Sequence, residues 1–194
     1  MTHDDYPVKS FKTATAFEQW LNKNHKKADG LWLKIAKAKT GIQSVGFPDA
    51  LDIALCYGWI DGMRRSLDED YYLQKFTPRR DKSVWSVINR NKVAELIKQG
   101  RMKAAGHAAI EEAKKNGRWD NAYHSPANAE VPEDLQKALN KNKKAKAFFA
   151  KLTSQNRFAI IYRLHHVKRE ETKKKKIEEY IRMLEEGKTI YPQK

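Results

Sequence analysis

The pattern of apolar and polar positions predicts helices and one strand before the first clear hairpin. Thr15 and Glu18 form a capping-box pair, and the apolar residues beside them recur at helical spacing, which predicts a first helix. Leucine and isoleucine then alternate with other residues over 31–37, the period of two that is typical of a half-buried strand. Pro48 suits the first turn of a short second helix, and Gly58 ends it.

Two segments rich in β-type residues, 59–63 and 71–76, flank the turn-like residues 67–70. A β-hairpin is the simplest arrangement of this pattern. With the strand over 31–37, it predicts an antiparallel sheet of three strands, close to the minimum for a sheet that is stable by itself. We expect helices to cover this sheet.

Beyond Pro78 the apolar spacing is helical throughout. It predicts helices over 86–99 and 103–116, each followed by a glycine that ends it, and four more helices nearer the C-terminus. The predicted fold class is therefore α+β, with a small antiparallel three-stranded sheet covered by helices and followed by a C-terminal helical module.

The predicted domains follow from a change in composition. Residues 121–131 are rich in turn-forming residues and predict a linker. An α+β domain is expected over 1–120 and a basic helical domain over 132–194. Because a module of about 60 residues buries a marginal core, we expect it to pack on the rest of the chain.

The positive charge of the chain suggests a further function, because it is concentrated in the last third of the sequence. The 194 residues include 39 Lys and Arg against 24 Asp and Glu, a net charge of +15. From Glu133 onward there are 17 Lys and Arg against 8 Asp and Glu, a net charge of +9. Such a field attracts phosphate-rich polymers. Nucleic-acid binding is therefore one alternative function, and it would use Lys168, Arg169, Lys173, Lys174, Lys175 and Lys176.

A solvated helix face is the other interpretation of the lysine run. Lys174 and Lys175 lie four residues before Glu178 and Glu179. Side chains at this spacing are neighbours on a helix and can form ion pairs. In that case the lysines would serve solubility and helix stability.

The composition excludes several classes of protein. Cys56 is the one cysteine, so neither an internal disulfide nor a cysteine-based zinc site can form. No apolar run approaches the roughly 20 residues that span a bilayer, and the first residues lack the order of a secretion signal. We therefore expect a cytoplasmic protein without a membrane span. No sequence motif predicts a cofactor, a metal or a catalytic residue.

Polar and aromatic residues concentrate between Cys56 and Asn89. Arginine forks bind carboxylates and phosphates at two points, and tryptophan rings offer faces for stacking and cation–π contact. The pattern predicts a site for a small anionic ligand or an acidic partner. Its predicted residues are Trp59, Asp61, Arg64, Arg79, Arg80, Trp85, Ser86 and Asn89.

Two alternatives stay open for this cluster. In the structural alternative, Asp61 pairs with nearby arginines, and Trp59 and Trp85 are core rings that join the sheet to its helices. In the second, Asp61 and an arginine clamp form the site of an uncharacterised enzyme. The residue types alone support that second alternative.

Several ordered motifs resemble a known family. They are Cys56–Gly62, Phe76–Arg80, Ser83–Asn89, Gly100–Met102 and Gly117–Trp119, followed in the tail by Val131–Pro132, Phe148–Phe149, Asn156–Arg157 and Lys168–Ile177. Over nearly its whole length, from Ser10 to Ile190, the chain resembles the YdeI/OmpD-associated family. The resemblance implies a bacterial protein with a role in protection against bacteriocins or antimicrobial peptides. It implies no catalytic residues.

Charge constrains how such protection could work. A protein with a net charge of +15 repels a cationic peptide at long range. Our hypothesis is a cytosolic, non-enzymatic stress-protection protein that acts indirectly, through an anionic partner bound at the arginine and tryptophan cluster.

Overall fold

The computed structural model describes residues 5–126 and 128–193. The chain forms two compact units, Met1–Ala122 and Tyr123–Lys194. Each unit has its own cluster of buried apolar residues. The predicted domain boundaries and the predicted packing of the C-terminal module stay predictions.

Along its described residues, the first unit starts with a short strand, and helices and three longer strands follow it. Its elements are β1 (Val8–Ser10), α1 (Ala14–Asn24), β2 (Leu31–Ala36), a 3-10 turn (Ala38–Thr40), α2 (Phe47–Cys56), β3 (Trp59–Ser66), β4 (Tyr71–Pro78), α3 (Val87–Lys98) and α4 (Ala104–Lys115).

Helix α1 begins slightly earlier than its capping-box pattern suggests. Thr13, not Thr15, is the N-cap, and its Oγ1 accepts a hydrogen bond from the Ala16 N–H at 3.1 Å. The apolar stripe of this helix continues inward through Phe17 and Leu21, which are fully buried.

The predicted antiparallel sheet of three strands was wrong in strand number and orientation. The sheet has four strands in the order β1-β2-β4-β3, and β1 runs parallel to β2. The β3–β4 hairpin is antiparallel, and so is the β2–β4 pair beside it. Strand β1 has only three residues, too few for an alternating pattern to be recognised in the sequence.

Helices cover one face of the sheet. Leu31, Leu33 and Ile35 of β2 and Phe76 of β4 point into the core of this unit. On the opposite face, Trp32 is only 3% exposed although it lies outside that core cluster. Basic side chains cover its ring: the guanidinium carbon of Arg65 lies 4.6 Å, and the Lys75 ammonium 5.6 Å, from the ring centroid.

The described residues of the second unit form four helices: α5 (Glu133–Lys141), α6 (Lys143–Lys151), α7 (Ser154–His165) and α8 (Glu170–Glu185). Leu135, Ala145, Ile160 and Leu184 are fully buried in its core. The buried Asn156 joins the chain end to α7, because its amide donates to the Tyr191 carbonyl at 3.0 Å and its oxygen accepts from the Tyr191 N–H at 2.8 Å.

Within the described ranges, no helix is both long and apolar enough to cross a bilayer.

A close approach of backbones fixes how α2 leads into β3. Gly58 has φ +72°, and a Cβ atom there would lie 2.7 Å from the Ala105 carbonyl oxygen of α4. Gly100 has a similar φ of +66°, but a Cβ atom there would meet nothing within 4 Å. The two glycines therefore share a backbone requirement and differ in packing.

We expect Gly58→Ala to destabilise the first unit more than Gly100→Ala. The left-handed conformation alone costs an alanine about 1–2 kcal/mol, and Gly58→Ala adds a backbone clash worth about 1 kcal/mol or more. Urea unfolding followed by tryptophan fluorescence measures the difference, because all five tryptophans lie in this unit. Equal losses for both variants would contradict the close packing of α4 on Gly58.

Candidate anion-binding site

The structure distributes the eight predicted site residues over different places in the first unit. Arg79, Arg80 and Trp85 line one small cavity. Arg64 lines a separate and much larger cleft. The other four residues, Trp59, Asp61, Ser86 and Asn89, line neither of these two sites.

A guanidinium and an indole meet beyond the end of β4. The guanidinium carbon of Arg79 lies 3.5 Å from the centroid of the Trp85 ring, and its Nη1 donates to the Val84 carbonyl at 3.2 Å. The other two guanidinium nitrogens are shielded from solvent, and Trp85 is buried. The cavity beside this stack measures about 40 Å³, room for little more than one water molecule of about 30 Å³.

Trp59 and Ser86 have structural contacts that account for their positions, and Asn89 contributes its backbone N–H to one of them. Trp59 is 1% exposed, and its Nε1 donates to the His25 carbonyl at 3.2 Å. Ser86 is the N-cap of α3, and its hydroxyl accepts from the Asn89 N–H at 3.2 Å.

Asp61 is half-buried on β3, opposite Phe76 of β4. Burial raises the pKa of its carboxyl above 3.8, because removal from water penalises the charged form. Its own backbone N–H and the charges of Arg79 and Arg64 oppose this rise. The attraction of the Asp61 carboxylate to these two arginines is therefore weaker than the cost of removing it from water.

A β-bulge places Arg64 on the covered face of the sheet. Asp61 pairs with Phe76 and Arg64 with Gln74, so β3 advances three residues while β4 advances two. The extra residue turns Arg64 to the same face as Asp61, although strict alternation would put them on opposite faces. Without the bulge, Arg64 would point away from the helices.

The side chain of Arg64 is held by a buried amide and two aromatic rings. Gln74 is 2% exposed; its Nε2 donates to the Gly62 carbonyl at 2.8 Å, and its Oε1 accepts from Arg64 Nε at 3.3 Å. The guanidinium carbon lies 4.5 Å from the Tyr72 ring centroid and 5.2 Å from that of Phe47. These contacts orient the guanidinium while leaving the residue exposed.

Arg64 stands at a cleft of about 830 Å³ between the sheet and the loop that leads into α2. Small-molecule sites have volumes of about 300–1,000 Å³. Its lining is mostly apolar and includes Ile35, Ile42, Phe47 and Tyr72. Arg64 and Lys37 are the charged lining residues, and no lining residue is acidic.

Among the described residues, no carboxylate lies within 4.0 Å of the Arg64 guanidinium. Lys37 is less available, because its ammonium donates to the Asp68 carbonyl at 2.7 Å. The cleft therefore offers one oriented cation beside apolar surface, which suits binding of an anion.

Four residues that shape this cleft are not among those that the sequence predicts for the site: Lys37, Phe47, Tyr72 and Gln74. Gln74 could have been recognised in the sequence, because it lies two residues before Phe76 and therefore points to the same inward face of β4. Phe47 carried no such signal, because its role depends on how the loop before α2 folds back on the sheet. Elsewhere in the described ranges, no three His, Cys, Asp or Glu residues form a group that could hold a metal ion.

Two family models match the chain, one in each of its two units. A family model described as a domain of unknown function (DUF8412) matches residues 9–109, just over half of the chain. A second model, described as "Bacteriocin-protection, YdeI or OmpD-Associated", matches residues 128–187. The chain thus belongs to the family defined by the first domain and carries the second domain in its C-terminal unit, which confirms the YdeI/OmpD-associated resemblance there. Searches of curated proteins and of solved structures found no significant match.

The raised pKa of Asp61 predicts how the stability of the protein depends on pH. Because the folded chain holds this proton more tightly than the unfolded chain, ionisation of Asp61 costs stability as the pH rises through its raised pKa. Asp61→Asn should therefore stabilise the protein at neutral pH. The gain should shrink as the pH falls through the raised pKa and vanish below about 3.8, the ordinary aspartate value.

Thermal unfolding of Asp61→Asn between pH 3 and 8 measures this gain. Asp29→Asn is the control, because it removes the same charge at an exposed position. A loss of stability at neutral pH for Asp61→Asn alone would mean that the carboxylate is needed to neutralise Arg79 and Arg64.

Proposed function

We propose that this protein is a non-enzymatic binding protein that takes a small organic anion in the Arg64 cleft. The single observation that carries the proposal is an exposed guanidinium that is oriented by Gln74, Tyr72 and Phe47 and has no carboxylate partner among the described residues. A site that is already oriented loses less entropy when it binds a ligand.

The chemistry of the lining suggests the class of ligand. A carboxylate, sulfonate or phosphate can accept two hydrogen bonds from one guanidinium. Phe47, Pro48 and Ile42 also line the cleft and would accommodate an apolar or aromatic body. We therefore favour an anion with an apolar body over inorganic phosphate.

The Arg79 and Trp85 stack has a different role in this proposal. Its cavity of about 40 Å³ is too small for an organic ligand, and most of the guanidinium is shielded. We propose that this stack stabilises the end of β4 and the loop that follows it. Arg80, which is exposed at the same cavity, would at most contact a small inorganic anion.

Biologically, we place the protein in the cytoplasm of a bacterial cell and in a stress or protection response. The domain matched over residues 128–187 is described by the words "Bacteriocin-protection", and this supports the role. The net charge of +15 favours an indirect mechanism, in which the bound anion rather than the cationic toxin is the partner.

Binding of the aromatic sulfonate 1-anilinonaphthalene-8-sulfonate tests the proposal. Its fluorescence should rise saturably on binding, and benzoate should displace it whereas the neutral benzamide should not. Arg64→Met should weaken binding about tenfold, because a hydrogen bond to a charged group is worth about 1.5 kcal/mol.

Arg65→Met is the matched control. It removes the same charge one residue along the chain, but its side chain covers Trp32 on the other face of the sheet. Binding that is unchanged in Arg64→Met, or that falls equally in both variants, would reject the cleft as the anion site.

Nucleic-acid binding by α8 is a second candidate, and one observation favours it. Lys173 is paired with Asp134 at 2.7 Å, but Lys174 and Lys175 are exposed and have no ion pair within the described residues. The expected pairs with glutamates one turn later on α8 are thus not formed. Two exposed lysines beside Lys168 and Arg169 would suit phosphate contacts.

Replacement of Lys174 and Lys175 by glutamine should weaken binding to a 20-base-pair duplex at low salt. The slope of log K against log salt should fall by about 0.9 for each phosphate that the protein no longer neutralises. The control replaces Lys26 and Lys27, which are exposed in the first unit. No detectable binding at about 50 mM salt, well below the physiological range, would remove this candidate.

A further inference from the structure

The C-terminal unit contains a cavity that carries a carboxylate where the Arg64 cleft carries cations. It measures about 120 Å³, room for roughly four water molecules of about 30 Å³ each. A group of four or five non-hydrogen atoms, such as a guanidinium or a trimethylated ammonium, has a similar size. We call it the aromatic pocket and define it by Tyr123, Glu130, Pro132, Phe158, Ile161 and Tyr162.

Three rings of the aromatic pocket pack as a cluster. The centroids of Tyr123 and Tyr162 lie 5.0 Å apart at an interplanar angle of 88°, and those of Phe158 and Tyr162 lie 5.5 Å apart. Tyr123 and Phe158 complete the triangle at 6.3 Å. The mutual packing limits their movement, so the rings form a largely preformed wall.

The charge of the aromatic pocket departs from that of the chain. One residue in five is Lys or Arg, whereas the nine lining residues include neither type and contain two histidines, His124 and His165. Glu130 also lines the pocket, and among the described residues its carboxylate has no ion pair. A lone carboxylate beside aromatic rings attracts a cation, because the ring quadrupole and the charge act in the same direction.

We propose that the aromatic pocket binds a small organic cation, either a quaternary ammonium group or the guanidinium of an arginine side chain. Glu130 supplies the counter-charge, and the rings of Tyr123, Phe158 and Tyr162 supply cation–π contacts. The net positive charge of the protein opposes a polycationic peptide more strongly than a single cationic group, and salt screens charges beyond about 8 Å at physiological ionic strength, so it does not prevent this contact. The proposal is independent of anion binding at Arg64.

Calorimetric titration with choline at about 0.15 M salt, a physiological ionic strength, tests the proposal. The control ligand is 3,3-dimethylbutan-1-ol, which has the shape of choline without its charge. We expect saturable binding of choline and much weaker binding of the neutral alcohol. A second titration with N-acetyl-arginine methylamide distinguishes a free ammonium ligand from an arginine side chain.

Two variants locate the site. Glu130→Gln should weaken choline binding about threefold, in line with an exposed ion pair. Tyr162→Leu should weaken it at least about fivefold through loss of the cation–π contact, whereas Tyr162→Phe should retain binding.

Glu178→Gln is the control for net charge, because it removes an exposed carboxylate of α8 in the same unit. The proposal would be overturned by equal binding of choline and the neutral alcohol, by the absence of binding, or by equal effects of Glu178→Gln and Glu130→Gln. If Tyr162→Leu does not fold, the comparison of the two ligands and of the two glutamate variants still tests whether the aromatic pocket binds a cation.

Discussion

The hydrogen bonds of Gln74 are the constraint on which the site depends. Its buried amide group satisfies the Gly62 carbonyl in the bulge of β3 and accepts from Arg64. A bulge leaves backbone groups outside the ladder, and in a buried environment such groups cost free energy unless they are paired. Pairing them with a side chain fixes the bulge. The bulge in turn sets the face on which Arg64 emerges.

This local geometry separates two arginines that the sequence predicts to lie in one site. Arg79 stacks on the buried Trp85 and has most of its guanidinium shielded, whereas Arg64 stacks on Tyr72 and Phe47 beside an open cleft. The same side-chain chemistry therefore supports the fold in one place and remains accessible in the other. Accessibility, rather than residue type, decides which guanidinium can take a ligand.

Much of the fold could be predicted from the sequence, because the hairpin, the helices and their glycine ends follow from periodicity and turn chemistry. Strand β1 could not, since three residues carry no period. The contact of Arg79 with Trp85 could be predicted, because one short turn after β4 separates the two residues. The Arg64 cleft was not: alternation along β3 gives the wrong face for Arg64, and only the register with β4 reveals the bulge.

The most direct measurement is a crystal structure of the protein soaked with 4-bromobenzoate, with the bromine located by its anomalous signal. We expect a carboxylate at hydrogen-bond distance from the Arg64 guanidinium and a bromine peak along the apolar wall near Phe47 and Ile42. A peak beside Arg79 and Trp85 with none in the cleft, or no bound ligand at saturating concentration, would contradict it.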